Sequence, residues 1–315
     1  MTTLGGRPPE HPPAGGRGRT GDLAVPGTSL EHSAGGGSLG DTRSEQSRAR
    51  RSWRPVAWVR RNLVMIVALL VLVYLFVPIA YTIAFSFNNA GRSNLVWQGF
   101  TTKNWTNPCG APEVCGALVN SLKIGLLATV AATALGTMVA FALARHRFRG
   151  RSATNLLIFL PMATPEVVLG AALLSLFLNV GLEPGFWTIV IAHVMFCVSF
   201  VVVTVKARLA GLDPRIEQAA MDLYADEWQT FRRVTLPLAA PGILAAALLS
   251  FALSFDDFII TNFNSGNVTT FPKFVYVSAA RGIPAQANVI GTAMFVVALL
   301  VVLLGQVLGR RRRAG

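Results

Sequence analysis

Three observations predict an all-α membrane protein with six transmembrane helices and a helical loop between the fourth and fifth. The 315-residue chain is 52% hydrophobic and only 14% charged, too apolar and too unevenly patterned for an ordinary soluble domain. Six apolar runs, roughly 62 to 87, 117 to 144, 153 to 178, 186 to 206, 237 to 261 and 285 to 308, each suit a hydrocarbon layer of ~30 Å at ~20 residues per span. Arginine gathers in alternate connections between those runs, as expected when basic segments stay on the cytoplasmic side.

Residues 1 to about 52 are rich in Gly, Pro, Ser and Arg and carry few bulky apolar side chains, so they cannot offset the entropy of ordering. The expected division is a disordered cytoplasmic tail over 1–52 and a transmembrane domain over 53–315. A secretory signal is not expected, because the first apolar run begins near Asn62 and is too long for a signal-peptide core. Four basic segments agree on one orientation in the cell membrane, with both termini cytoplasmic. They hold Arg50, Arg51, Arg54, Arg60 and Arg61 before the first span, and Arg145, His146, Arg147, Arg149 and Arg151 after the second. Lys206, Arg208, Arg215, Arg232 and Arg233 lie between the fourth and fifth spans, and Arg310 to Arg313 close the chain. The net charge of +13 does not point to nucleic acid, since these residues are not interleaved with aromatics along one amphipathic face.

Between the first two spans, Cys109 and Cys115 lie in the extracytoplasmic segment NPCGAPEVCG, where an oxidising compartment makes a local disulfide the expected state. Two free thiols are the alternative, and metal binding is weak without a nearby His or further Cys. In the fourth span, Cys197 reads as a small packing residue and His193 as a hydrogen-bonded interior histidine to which no role is assigned.

Acidic residues inside the bilayer are informative, because a carboxylate at the midplane of a lipid-facing helix costs at least ~2.5 kcal/mol. Glu166, in PMATPEVVLG, falls near the inner end or middle of the third span, and Pro161 and Pro165 flank it and loosen the helical hydrogen bonding near the start of that span. Asp256 and Asp257, in LSFDDFIITNF, fall in the outer half of the fifth span and point ~100° apart on a helix. They read as a path of carboxylates at different depths; the alternative for each is a helix cap or an Arg partner. Loss of the Asp257 charge is expected to lower uptake of a cation, and loss of Asp256 to matter less if that residue faces a neighbouring helix.

Asp213 to Gly242 forms a polar helical insert. Asp213 and Pro214 are suited to starting one short helix, and Asp226 with Gln229 has capping-box spacing for a second. Ile216, Ala219, Ala220 and Leu223 give the first helix an apolar side, and Trp228, Phe231 and Val234 do the same for the second. A loop lying on the membrane surface is the bland alternative.

Gln218-Ala219-Ala220, position 224 and Val234-Thr235-Leu236-Pro237 together resemble the EAA loop of ABC-importer permeases. The resemblance implies that Glu217, Gln218, Ala219, Ala220, Asp222, Leu223 and Tyr224 couple to a cytoplasmic ATPase. Two positions depart from the motif: Gln218 stands where it has Glu, with Glu217 one residue earlier, and Tyr224 stands where it has Gly. A glycine would enter a left-handed turn without a Cβ penalty, so with Tyr224 the turn is expected to be built another way.

From the first span through Arg313 the order of segments is similar to permeases of spermidine/putrescine-type ABC importers, carried also by VNSLKIG (Val119 to Gly125), PMATPEVVLG and LSFDDFIITNF. This resemblance implies a type I ABC importer permease domain, a second homologous permease subunit, an ABC ATPase dimer, an extracytoplasmic substrate-binding protein and surrounding lipid. A polyamine is a flexible polycation, and Glu166, Asp256 and Asp257 are suited to replacing part of the hydration it loses. Catalysis by the chain itself is not expected: it has no P-loop, no nucleophile-base constellation and no metal-ligand cluster, so no cofactor is assigned. An ATP-independent carrier or channel, or an importer permease for another small solute, is the competing reading.

Overall fold

The computed structural model describes residues 54–314 apart from 92 and 147, with side chains over 62–307. The tail expected over 1–52 lies outside the described residues. The chain divides into two units, Met1–Ala68 and Leu69–Gly315. In the first, Leu63, Val64, Met65 and Val67 are exposed apolar side chains on the opening part of a helix.

Among the described residues the secondary structure is helical, with one isolated antiparallel bridge between Asn88 and Phe100. In order the elements are α1 (Arg54–Ser86), α2 (Lys103–Thr106), α3 (Val114–Arg145), α4 (Arg151–Ala163), α5 (Glu166–Asn179) and α6 (Phe186–Ala210). Then come α7 (Pro214–Asp222), α8 (Glu227–Thr230), a π-helical segment (Phe231–Thr235), α9 (Leu236–Asp256), α10 (Ile259–Asn264), α11 (Phe271–Arg281) and α12 (Ala285–Ala314). Among the described residues, five helices are long and apolar enough to cross a bilayer: Asn62–Ser86, Val114–Arg145, Phe186–Ala210, Glu227–Asp256 and Ala285–Val307. A sixth span requires α4 and α5 together, and these bend by 108°.

That bend corrects the expectation of a continuous third span. Pro165 disfavours helical geometry at the residue before it, and Thr164 is accordingly extended at φ −82° and ψ 133°. Pro165 is extended too, at φ −56° and ψ 132°, and lies just before the first residue of α5, Glu166. The two halves have 13 and 14 residues, each too short to cross ~30 Å alone at ~1.5 Å per residue.

The fifth span is also corrected. The second loop helix is not a separate element, since α8 runs through the π-helical segment into α9 as one helix, Glu227–Asp256. The far end stops at Asp256, not at 261, and Asp257 is extended at φ −65° and ψ 123° before α10 begins.

The core of the second unit lies where α3, α6 and α9 meet, with Ala132, Ala140, Val201, Val205, Ala239 and Ala246 fully buried. Small residues permit the close approach of backbones that packing between membrane helices requires. A Cβ on Gly136 would lie 2.6 Å from Val201 Cγ1, so glycine is needed there. On α1, by contrast, Leu69, Leu70, Leu72, Tyr74 and Leu75 are all more than half exposed, a surface suited to lipid or to another chain.

At the opposite end of α3 from Arg145, Asn120 Nδ2 donates to the Thr269 carbonyl (3.0 Å) and Phe271 N donates to Ser121 Oγ (2.8 Å), fixing the segment before α11. Cys109 and Cys115 are joined in a disulfide with Cα atoms 5.4 Å apart. Cys197 is a free, fully buried thiol.

Candidate functional site

Asp213 caps α7 through Oδ1, which accepts from Arg215 N (2.9 Å), and Pro214 occupies the first helical position. Asp226 caps α8 by accepting from Gln229 N (2.7 Å). Only this forward half of the expected capping box is formed; no hydrogen bond returns from the Gln229 side chain among the described residues. What holds α7 to the bundle is a charge. Glu217 Oε1 accepts from Arg145 Nη2 at the end of α3 (2.7 Å) and from Thr235 Oγ1 in the π-helical segment (2.9 Å).

With Glu217 turned inward, the apolar residues of α7 are left outside. Ile216, Met221 and Leu223 are exposed, as is Trp228 at the start of the next helix; Gln218, Ala219 and Asp222 are exposed as well, and Ala220 is half-buried. Large apolar side chains grouped on one surface mark an interaction site more than a solvated loop does.

The turn after α7 is left-handed after all. Tyr224 adopts φ 64°, with Tyr224 N donating to Met221 O (3.0 Å) and Ala225 N to Ala220 O (3.2 Å). This pair of bonds closes the last turn in the manner of a Schellman motif, normally reserved for glycine. The Tyr224 side chain is 98% exposed, so no packing compensates the Cβ penalty within this chain.

On the other side of the core, a cavity of about 960 Å³ is lined by Glu166, Asp256 and Asp257 together with Phe196, Phe255 and Phe258. Of the carboxylates expected at different depths, Glu166 and Asp256 therefore face one space, and Asp257 lies in its wall with its side chain buried. Gly170 explains how: it lies one turn beyond Glu166 on α5, and α10 packs directly on it, with Phe263 Cδ2 2.9 Å and Ile260 Cα 3.4 Å from where a Cβ would be. Asn264 Nδ2 donates to the Gly170 carbonyl (3.3 Å) across the same contact. Glu166 is thereby set beside the break that separates α9 from α10.

The two aspartates differ in their surroundings. Asp256 is exposed to the cavity. The Asp257 side chain is 4% exposed; Oδ2 accepts from Thr261 N (2.8 Å) and Oδ1 from Ile260 N (3.3 Å), so it caps α10. It also lies 3.1 Å from Nε2 of His193, whose side chain is 2% exposed. Asp257, not Asp256, is the one that faces a neighbouring helix. No group of three or more residues able to hold a metal ion occurs among the described residues.

His193 was legible only as an interior histidine; its partners come from helices more than sixty positions away, and no local spacing announces them.

Residues 132–314 match the family described as binding-protein-dependent transport system inner membrane component. The chain is 37% identical over 243 residues to the spermidine/putrescine transport system permease protein PotC of Escherichia coli (strain K12), covering 77% of this chain and 92% of that one. It is 36% identical over 236 residues to the putrescine transport system permease protein PotI of the same organism, covering 72% and 84%. Among solved structures, a chain of a bacterial ABC transporter involved in the import of the acidic polysaccharide alginate superposes with a TM-score of 0.59 at 18% identity, over 81% of this chain and 97% of that one. At that identity the likeness is one of fold.

Proposed function

As the chain belongs to the family of binding-protein-dependent transport system inner membrane components, we propose that it is a membrane-spanning permease subunit of an ATP-driven importer for polyamines. The observation that carries the substrate class is the cavity that Glu166 and Asp256 face, with the buried Asp257 in its wall. Fixed carboxylates in a space walled by phenylalanines exchange with the hydration shell of an ammonium group, while the methylene stretches of a polyamine meet the apolar walls. Identity to PotC and PotI, whose names specify spermidine and putrescine, supports the same reading.

In this proposal the chain handles no nucleotide. α7 docks on an ABC ATPase dimer through its exposed apolar side chains, and the Glu217 link passes ATPase closure to the ends of α3 and α9. Residues 218–220 and 222–224 form the outward contact. A second, homologous permease subunit closes the open side of the cavity, and an extracytoplasmic binding protein delivers solute at the end bearing the Cys109–Cys115 loop. Both termini and α7 are cytoplasmic, the orientation that the four basic segments favour.

The test is uptake of labelled putrescine and spermidine by vesicles holding the permease pair, ATPase and binding protein. Uptake is expected to require ATP and to be competed by polyamines. Uptake that persists without ATP would make the chain part of a carrier, and transport of neutral or anionic solutes alone would overturn the polyamine reading.

A further inference from the structure

His193 sits in the first third of α6 and reaches both sides of the break between α9 and α10. Nδ1 lies 2.7 Å from Ser254 Oγ on the last turn of α9. Nε2 lies 3.1 Å from Asp257 Oδ2 and 3.0 Å from Thr261 Oγ1, the latter on the first turn of α10. A carboxylate has no hydrogen to give, so Nε2 carries the proton of that contact, and the Ser254 hydroxyl serves Nδ1.

One buried ring therefore holds three residues at the break between α9 and α10. With His193 and two backbone N–H groups directed at it, the Asp257 carboxylate has both oxygens engaged inside the protein. Asp256, its chain neighbour, has none of these partners and faces the cavity. If both aspartates faced the cavity, they and Glu166 would crowd three like charges into one space.

We propose that His193 is a positioning residue for solute selection: it withdraws Asp257 from the cavity and fixes the break, so that Asp256 and Glu166 alone meet the cation. The inference rests on the polyamine reading. Two outward carboxylates match two ammonium groups at a fixed spacing, and release of a third changes the preference between a diamine and a triamine. His193 touches no solute and acts through Asp257.

The experiment compares His193→Leu, which removes both ring nitrogens, with His193→Gln, which keeps an N–H donor, in the complete reconstituted transporter. Apparent KM and maximal rate are measured for putrescine and spermidine, in the wild-type, Asp257→Asn and Asp256→Asn backgrounds. For His193→Leu the ratio of the two KM values is expected to shift by about tenfold, and for His193→Gln by less than about threefold, the range of coupling within one hydrogen-bond network. The shift should vanish in Asp257→Asn and persist in Asp256→Asn.

A His193→Leu shift of equal size in the Asp257→Asn background would overturn the proposal. So would a fall in maximal rate alone with the KM ratio unchanged, the result of a merely structural role. If His193→Leu does not assemble, the His193→Gln and Asp257→Asn cycle decides, additive effects on the KM ratio counting against the proposal. The polyamine reading fails separately, if Asp256→Asn and Glu166→Gln both leave polyamine uptake at the wild-type rate; the His193 and Asp257 coupling is then read from ATP hydrolysis stimulated by binding protein.

Discussion

Arg145 Nη2 lies 2.7 Å from Glu217 Oε1 and ties the last turn of α3 to the loop helix α7. The same oxygen accepts from Thr235 Oγ1, so one carboxylate gathers three elements. Both charged side chains are about a quarter exposed, and an ion pair in that setting contributes on the order of 1 kcal/mol. Replacing Glu217 with Gln should leave insertion intact while lowering uptake per ATP hydrolysed, because α7 stays folded but transmits its displacement poorly. Arg145→Gln should give a similar loss, and the double variant little more than either alone. Additive losses would place Arg145 and Glu217 in separate tasks.

At Tyr224 one substitution should have two effects of opposite sign. A non-glycine residue at φ 64° carries a penalty of ~1 to 2 kcal/mol, so Tyr224→Gly should stabilise the detergent-solubilised permease by ~1 kcal/mol in thermal or denaturant melts. The exposed ring is expected to dock on the ATPase, so the same variant should retain less ATPase in a pull-down. A variant that is more stable and binds the ATPase as well as wild type would show that the ring does not dock.

The spans, the caps of Asp213 and Asp226 and the three carboxylates of the cavity were legible because each depends on residues close in sequence: hydropathy runs, cap spacing and charge in an apolar window. The 108° bend was half legible. Pro161 and Pro165 announced loosened hydrogen bonding, but Pro161 lies inside α4 and only the Thr164-Pro165 step breaks the chain. The early end of α9 was not legible, because Phe258 to Phe263 is apolar enough to read as a continuation of the span. What stops the helix is the Asp257 carboxylate capping α10, held by a ring from α6, and that is a tertiary event. Tyr224 misled for a related reason: propensity argued against a left-handed residue, and the hydrogen bonds closing the turn outweighed it.

The Cys109–Cys115 bridge closes a loop with a sequence separation of 6 and should contribute about 2 kcal/mol through the entropy of the unfolded chain. Val114 and Ala117, just inside α3, pack on Phe271 and Phe274 of α11, so a loosened loop reaches that packing cluster as well. Mass spectrometry of non-reduced peptides should recover the two cysteines cross-linked. Cys109→Ser with Cys115→Ser should lower the melting temperature without abolishing insertion; free alkylatable thiols at both positions would remove the basis of this expectation.

Asp256 and Asp257 should respond differently to the loss of a charge. Position in sequence suggests that either could serve a cation, but the two carboxylates stand in different environments. Asp256 faces the cavity without the buried partners of its neighbour, so Asp256→Asn removes a charge at little risk to the fold. Uptake of a polyamine should fall by about tenfold or more, corresponding to ~1.4 kcal/mol in the rate-limiting state, while melting is unchanged. Glu166→Gln should act in the same direction. Asp257→Asn reverses the balance, since an amide NH₂ can be turned away from only some of the donors that now converge on Oδ1 and Oδ2. Leaving a buried donor unsatisfied costs about 1 to 3 kcal/mol, so this variant should melt earlier and assemble less. Uptake and melting curves measured side by side separate the two residues. If Asp257→Asn instead lost uptake with normal stability, and Asp256→Asn lost neither, Asp257 would be the solute contact and Asp256 would have no part in holding the cation.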